Sequence, residues 1–295
     1  MAEIISETKV HGKAIEDMGK ILRANLMDDF YMRKFFDDDV ECVQYVLRVI
    51  MNDNGLVVKN IKTQKHLKGS KHGVFLDIYA VSSKGEEYDI EFQRADDEAI
   101  PERAFYNLAM LKTNMLEKKR PYSDLRRAVV IFITEHDVLG DGLPLYTAEF
   151  RVNETGKPLG VNALILYVNN EIQNPSTELG RLMHDFSCSE AEQMYSELLA
   201  ERTRKFKNTE KGRSVMSTVW KEAQEEAAKL AAEKAAKLAA EKATKLATKK
   251  ATKRANEATA IRMLKAGKLA IEEIAEYSAL SLSAVQNLAK AVSLK

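Results

Sequence analysis

The chain has 295 residues, of which 45% are apolar and 30% are charged, so it has enough apolar sequence to fold around a core. Its two cysteines, Cys42 and Cys188, are too few for a disulfide-stabilised scaffold. The longest apolar runs, such as 128–133, are too short for a transmembrane helix, and 1–20 lacks the apolar segment of a secretory signal. We therefore expect a cytoplasmic protein without a membrane partner.

The formal net charge of +1 is an average over two unlike parts. Residues 1–200 carry 24 basic and 33 acidic side chains, a net charge of −9, whereas residues 201–295 carry 21 and 11, a net charge of +10. Such an asymmetry suggests that a polyanion such as nucleic acid binds near the basic part. A solvated helix that happens to use lysine is the alternative explanation.

The first part of the chain is predicted to form a helix followed by three short strands. Apolar residues recur at helical spacing within 18–52, and the turn residues at 52–55 end that helix. Strands are predicted over 56–64, 73–82 and 87–94, with a hairpin turn between the second and the third.

The middle of the chain continues with a helix and more strands. Pro101 suits the first turn of a helix over 101–119, and the almost continuously apolar 128–134 is typical of a strand covered on both faces. Further strands are predicted near 145–151 and 163–168. This order of elements predicts an α/β fold with a mixed sheet.

The remainder of the chain is predicted to be helical, with helices over 179–186 and 190–206 and a longer one from about Ser214. An eight-residue pattern repeats over 228–251, and its leucines advance by about 80° around a helix at each repeat, so they form no continuous seam. Alanine and lysine favour a long solvated helix. Self-association of this arm, giving a homo-oligomer, stays open.

The tail, 261–295, is predicted to contain short helices over 261–265, 271–277 and 283–292. The last two have the lengths of a helix-turn-helix, but the second lacks an arginine that could read bases. A helical packing or assembly module is therefore favoured over a sequence-specific reader. The predicted division of the chain is a domain at 1–206, a Lys/Ala-rich helix at 207–260 and this tail.

Polar residues in the predicted hairpin are the candidates for chemistry. Asp77 lies in an otherwise apolar strand, and Glu91 and Gln93 share one face of the next strand. A short hairpin can place Asp77 beside Glu91, and two carboxylates at one sheet edge suit Mg²⁺ or Mn²⁺. Gln93 can orient a water molecule, although it carries no charge. The alternative is that Asp77 is a strand-edge acid with its hydrogen bonds satisfied, and that Glu91 and Gln93 simply face solvent.

These residues resemble a known nuclease motif. Asp77, thirteen intervening residues and Glu91-Phe92-Gln93 resemble the D-x(n)-E-x-Q form of the PD-(D/E)XK motif. The chain is similar to the Rpn family of recombination-promoting nucleases, also described as PD-(D/E)XK nuclease family transposases. Further matches are the strand phrase FLDIYAVSSKGEEYDIEFQ, Arg103-Ala104-x-Tyr106, Tyr122 before AVVIFIT, and the tail IEEIAEYSALSLSAVQNLA.

The resemblance implies a restriction-endonuclease-like PD-(D/E)XK core and a metal-dependent DNA endonuclease linked to recombination or mobile elements. Asp77, Glu91 and the backbone carbonyl of Phe92 would bind Mg²⁺ or Mn²⁺. Gln93 stands where many members of the superfamily have lysine, and glutamine is common there in this family. A protein with a degenerate site that acts in DNA binding or assembly is the alternative.

Three further residues are assigned by the same resemblance. The superfamily often adds an acid from the first core helix, and Glu41 is the candidate in this chain. Arg103 and Tyr106 would contact phosphate or brace the site, although a helix-surface residue and a core aromatic explain them as well.

Other polar residues carry weaker signals. An RNase H-like transposase would need a distant third carboxylate such as Glu171 or Asp185, which the short hairpin spacing disfavours. His66 and His72 lack the spacing of a zinc site, and both cysteines stand alone, so all four are predicted to be non-catalytic. The basic loop residues Lys65, Lys68 and Lys71 either contact a DNA backbone or are simply solvated.

Overall fold

The computed structural model describes residues 15–69, 72–95, 98–116 and 119–293. These residues divide into two compact units, Met1–Ala223 and Gln224–Lys295. The helices of the first unit, together with the long helix that continues into the second, are α1 (15–23), α2 (Asp29–Phe36), α3 (Val40–Met51), α4 (Pro101–Met115), α5 (Glu178–Ser187), α6 (Glu197–Lys207) and α7 (Glu210–Ala266). The predicted division into three parts stays a prediction.

A six-stranded mixed sheet forms the centre of the first unit. Its strands are β1 (Val58–Leu67), β2 (Val74–Ser82), β3 (Glu87–Gln93), β4 (Ala128–Thr134), β5 (Leu145–Glu149) and β6 (Ala163–Asn169), in the order β1-β2-β3-β4-β6-β5. Strand β4 is parallel to β3 and β6, and the other pairings are antiparallel. The mixed sheet predicted from the order of elements is therefore confirmed.

Strand β4 is buried along its whole length because helices cover both faces of the sheet. Alternate residues of a strand point to opposite faces. Odd-numbered residues such as Ile131 pack in one core with α2, α3 and α5, whereas even-numbered residues such as Phe132 pack in a second core with α4. The continuous apolar run at 128–134 follows from this two-sided burial.

The predicted helix over 190–206 is wrong in its first half. Residues Ala191–Gln193 form a single 3₁₀ turn, and α6 begins only at Glu197. The buried carboxylate of Asp185 accepts hydrogen bonds from the backbone N–H groups of Tyr195 (2.7 Å) and Ser196 (2.8 Å). This tertiary contact holds the chain extended at Ser196, the N-cap residue of α6, and so fixes where the helix begins.

The second unit comprises the later turns of α7 with α8 (Ile271–Ser278) and α9 (Leu282–Ser293). Its small core contains Ala260, Ile274, Ala275 and Val285. The separate short helix predicted over 261–265 is wrong, because α7 runs through it and ends before Gly267, which has a φ of +63°. Among the described helices, none combines the length and apolar character needed to cross a membrane.

The repeated leucines of α7 remain exposed, as the eight-residue spacing predicts. Leu230, Leu238 and Leu246 keep 51%, 52% and 56% of their surface accessible. Because they do not line up along the helix, they offer no continuous apolar stripe to a second helix. Oligomerisation through the arm stays a prediction.

Lys207 at the end of α6 is a buried cation that ties three segments together. Its Nζ donates hydrogen bonds to the carbonyls of Leu22 (2.9 Å), Ala24 (2.5 Å) and Ser189 (2.5 Å). Burial lowers the pKa of this amine to about 8, so it is mostly protonated at pH 7.

Replacing Lys207 by Met is expected to lower the free energy of unfolding by about 3 kcal/mol, because three backbone carbonyls around this buried amine lose their charged donor. Urea unfolding at pH 7 measures this change. The exposed neighbour Lys205 provides the control, since Lys205→Met leaves these carbonyls satisfied. Equal stability of the two variants would contradict the assigned role.

Candidate active site

Strands β2 and β3 separate at the candidate site. Their ladder ends at the pair Ile78 and Ile90, one residue before Asp77 and Glu91. Beyond that pair β3 continues against β4 to Gln93, while β2 continues against β1. Backbone groups that would have joined the two strands therefore need other partners.

The two carboxylates provide those partners by reaching across the gap. The N–H of Asp77 donates to Oε1 of Glu91 at 3.2 Å, and the N–H of Phe92 donates to Oδ2 of Asp77 at 3.1 Å. The structure thus brings Asp77 and Glu91 together, as a short hairpin allows, in a register that the sequence alone does not give.

Phe92 presents its backbone to the same gap. The N–H and C=O of one strand residue point to the same side of the strand, so the carbonyl of Phe92 follows its N–H towards β2. Its ring packs on the face of the sheet that α2 and α5 cover, with centroids 5.9 Å from Phe36 and 5.4 Å from Phe186. Packing of the ring therefore fixes where the carbonyl points.

Three carboxylates crowd this end of the sheet. Burial, followed by the charge of Glu91, raises the pKa of Asp77 to about 7. Burial, followed by the charge of Asp89, raises the pKa of Glu91 well above its usual range. Asp89 is fully buried, and burial raises its pKa to about 7 although Asn107 of α4 donates to it at 3.0 Å. The site therefore concentrates negative charge that a cation would offset.

Helix α4 supplies a positive charge to the cluster. The Nη2 of Arg103 donates to Oε2 of Glu91 at 2.8 Å, and its Nη1 donates to the carbonyl of Glu98 at 3.1 Å. Arg103 reaches Glu91 because it lies in the first turn of α4, whose N-terminus begins with Pro101. The guanidinium lies 5.7 Å from the centre of the Phe132 ring.

Gln93 lies between Arg103 and an acid. Its amide satisfies both neighbours when the oxygen accepts from Arg103 at 3.2 Å and the nitrogen donates to Oε2 of Glu98 at 3.2 Å. Residue 93 carries no charge, so in this site the positive charge beside Glu91 comes from Arg103.

The sequence model of a family described as PD-(D/E)XK nuclease family transposase matches residues 26–264. The chain belongs to this family. The match spans most of the chain, and it confirms both the resemblance and the fold that the resemblance implies. Neither a curated protein nor a solved structure is similar enough to match.

One acid of the N-terminal helices that the sequence reasoning did not propose, Asp29, acts on Asp77 through its charge. Asp29 is the first residue of α2, and its charge contributes to the raised pKa of Asp77. The predicted residue, Glu41, is exposed in the first turn of α3, and the contacts of the described residues do not join it to Asp77 or Glu91. Asp29 was missed because 18–52 was read as one helix, whereas it is divided among α1, α2 and α3.

Tyr106, unlike Arg103, forms its hydrogen bond with a backbone carbonyl and not with a carboxylate of the site. Its hydroxyl donates to the carbonyl of His72 at 2.8 Å, so it braces the connection between β1 and β2. It keeps 39% of its surface accessible. This placement leaves a phosphate contact by Tyr106 as a prediction.

The other polar residues that the sequence singled out have local partners. His66 stacks on Phe75 with centroids 4.5 Å apart, and Lys65 lies over the ring of Tyr79. Glu171 contacts His136 at the surface, and Asp185 caps α6, so neither is joined to the site by a described contact. Lys68 is exposed, and Lys71 lies outside the described residues.

Cys42 and Cys188 are both buried free thiols. Burial raises the pKa of Cys42 to about 12 and also raises that of Cys188, which makes both thiols poor nucleophiles. Within the described residues, no group of three or more His, Cys, Asp or Glu side chains is arranged to hold a metal ion. Any ion at this site would therefore depend on two carboxylates with backbone, water or substrate oxygens.

Proposed function

We propose that the chain is a divalent-metal-dependent DNA endonuclease that hydrolyses phosphodiester bonds in the cytoplasm, in recombination or the movement of mobile elements. The observation that carries the proposal is the pair Asp77 and Glu91, facing each other where β2 and β3 separate. Membership of a nuclease family supports the same chemistry.

The donor set fits Mg²⁺ or Mn²⁺. The carboxylates of Asp77 and Glu91 and the carbonyl of Phe92 are hard oxygen ligands, and Mg²⁺ is commonly held by only one or two carboxylates plus waters and phosphate oxygens. Burial is the main cause of the raised pKa values of both acids, and a neighbouring carboxylate adds to it, so a bound divalent cation would favour their charged forms. When bound, such an ion activates water and neutralises charge on the phosphate.

The neighbouring residues have complementary roles in this proposal. Arg103 neutralises Glu91 in the structure, and with a cation bound its guanidinium can turn to a phosphate oxygen of the DNA. The amide of Gln93 lies beside both groups and can orient the attacking water by a hydrogen bond. Tyr106 remains a proposed phosphate contact and Glu41 a proposed additional acid.

The test is a nicking assay on supercoiled plasmid with Mg²⁺, with Mn²⁺ and with a chelator. The expected result is conversion of supercoiled to nicked or linear DNA only in the presence of a divalent ion. Purified protein that leaves the plasmid intact with either ion, while still folded, would count against the proposal.

The second candidate is a protein that binds DNA or supports assembly with a degenerate site. The ion pair between Arg103 and Glu91 favours it, because a guanidinium already occupies one carboxylate oxygen that a metal would use. Calorimetry separates the two candidates. An endonuclease binds Mg²⁺ or Mn²⁺ through Asp77 and Glu91, whereas a degenerate site binds DNA without binding either ion there.

Gln93→Lys is expected to keep the cleavage rate within about 10-fold of wild type, because the substitution removes no carboxylate. The new ammonium lies beside Arg103 and can take over its contact with the neighbouring acids. Initial rates with Mg²⁺ measure the effect, with Gln93→Ala as the matched variant that lacks any polar group. A loss larger than that caused by removing Asp77 would assign Gln93 a more direct role than orienting water.

A further inference from the structure

Gln64 has an unusual backbone conformation in the middle of β1. Its φ is +50°, whereas strand residues other than glycine normally have negative φ. The flanking pairs are Thr63 with Ile78 and Lys65 with Leu76, so Gln64 lies opposite Asp77. A strained residue in a paired strand persists only where its surroundings hold it, and such residues concentrate at functional sites.

At this position both strands change the core into which their alternate side chains point. Leu76 and Ile78 are two residues apart and would share a face in a regular strand. Ile78 instead packs in the core beside α3, whereas Leu76 packs in the core beside α4. Ile61 and Leu67 of β1 are divided between the two cores in the same way. The change of direction therefore occurs at Gln64 and Asp77.

The side chain of Gln64 is directed at the candidate catalytic carboxylate. Its Nε2 donates to Oδ1 of Asp77 at 3.0 Å, while the N–H of Phe92 donates to Oδ2 at 3.1 Å. Each oxygen of Asp77 thus has one donor, and together the two donors fix the orientation of the carboxylate beside Glu91.

We infer that Gln64 is a positioning residue for Asp77, and this inference rests on the proposed endonuclease function. If the position served only to turn the strand, glycine would suit the positive φ better, because it has no Cβ to clash. Glutamine adds the one feature that glycine lacks, an amide long enough to reach Asp77. Partners that orient metal ligands typically affect metal affinity or activity by 10- to 100-fold.

Gln64→Gly tests the inference because it keeps the backbone conformation and removes the amide. The expected result is a cleavage rate lowered about 10-fold or more, with weaker Mn²⁺ binding by calorimetry. The melting temperature should stay within about 2 °C of wild type or rise, because relief of the positive φ offsets the lost hydrogen bond. Gln64→Asn, which tolerates the same φ and keeps a shorter amide, should recover part of both losses.

Lys119→Gly is the matched control, since exposed Lys119 also has a positive φ, +69°, and lies outside the site. It should leave cleavage and Mn²⁺ binding unchanged. Wild-type cleavage and Mn²⁺ affinity in Gln64→Gly would overturn the inference. A clear fall in the melting temperature of this variant together with its activity would also overturn it, because Gln64 would then serve the stability of the fold. Wild-type protein that neither binds Mn²⁺ nor cuts DNA would instead contradict the proposed function itself.

Discussion

Asp77→Asn is expected to lower the rate of Mg²⁺-dependent DNA cleavage by about 10³-fold or more while the protein stays folded. The substitution removes one of the two carboxylates that face each other across the gap, but it keeps the shape of the side chain. Its amide oxygen can still accept from the N–H of Phe92, and the amide of Gln64 can rotate to meet the new nitrogen. The loss is therefore one of charge and metal ligation.

Stability should move in the opposite direction to activity. Burial, followed by the charge of Glu91, raises the pKa of Asp77, so neutralising Asp77 removes a buried charge and a repulsion in the metal-free protein. The melting temperature without metal should be equal to or higher than that of wild type, as is common when a functional site is simplified. Glu91→Gln should also abolish cleavage, because it removes the second carboxylate of the pair.

Glu98→Gln supplies the control for both substitutions. Glu98 is an exposed acid that contacts Arg103 and Gln93 without facing the gap, so its neutralisation should change cleavage little. Initial rates on supercoiled plasmid and melting curves of the same samples give both quantities. Asp77→Asn that cuts DNA with Mg²⁺ at the wild-type rate would remove Asp77 from the proposed chemistry.

The strands near the site could be predicted because their signals are local. Strand β4 matches its prediction over 128–134, and β2 and β3 match within one residue, because apolar alternation and a hairpin turn define them. The proximity of Asp77 and Glu91 follows from the short hairpin. The separation of β2 from β3 depends instead on side chains that cap the ladder, and no sequence pattern specifies that register.

Other features could not be predicted because tertiary contacts decide them. Helix α6 begins where it does because Asp185, ten residues earlier than Tyr195, accepts its N–H. The breaks within 18–52 contain neither glycine nor proline, and only the three aspartates at 37–39, of which Asp39 caps α3, signal a helix start there. Glutamine likewise gives no signal for a positive φ, which explains why Gln64 was not among the predicted site residues.

The largest effect expected on DNA binding comes from the lysines of α7. Replacing six of its exposed lysines by glutamine should weaken DNA binding by about 10²-fold or more at moderate salt and should reduce the salt slope by up to about 5. Glutamine preserves the helix, because its helix propensity is close to that of lysine. The six positions are Lys229, Lys234, Lys237, Lys242, Lys245 and Lys249.

We expect this effect because the negative and positive charges of the chain lie in different regions. The region with the carboxylate site is acidic, at −9 over residues 1–200, and repels DNA except where cations offset that charge, whereas residues 201–295 carry +10. Since the leucines of α7 form no stripe for another helix, its lysines are the feature of this surface that we expect a polyanion to contact. Arginine at the same six positions keeps the charge and should keep both affinity and salt slope. Glutamine and arginine variants that bind DNA equally well would make α7 a solvated spacer, and the affinity for DNA would then have to come from cations bound near Asp77 and Glu91.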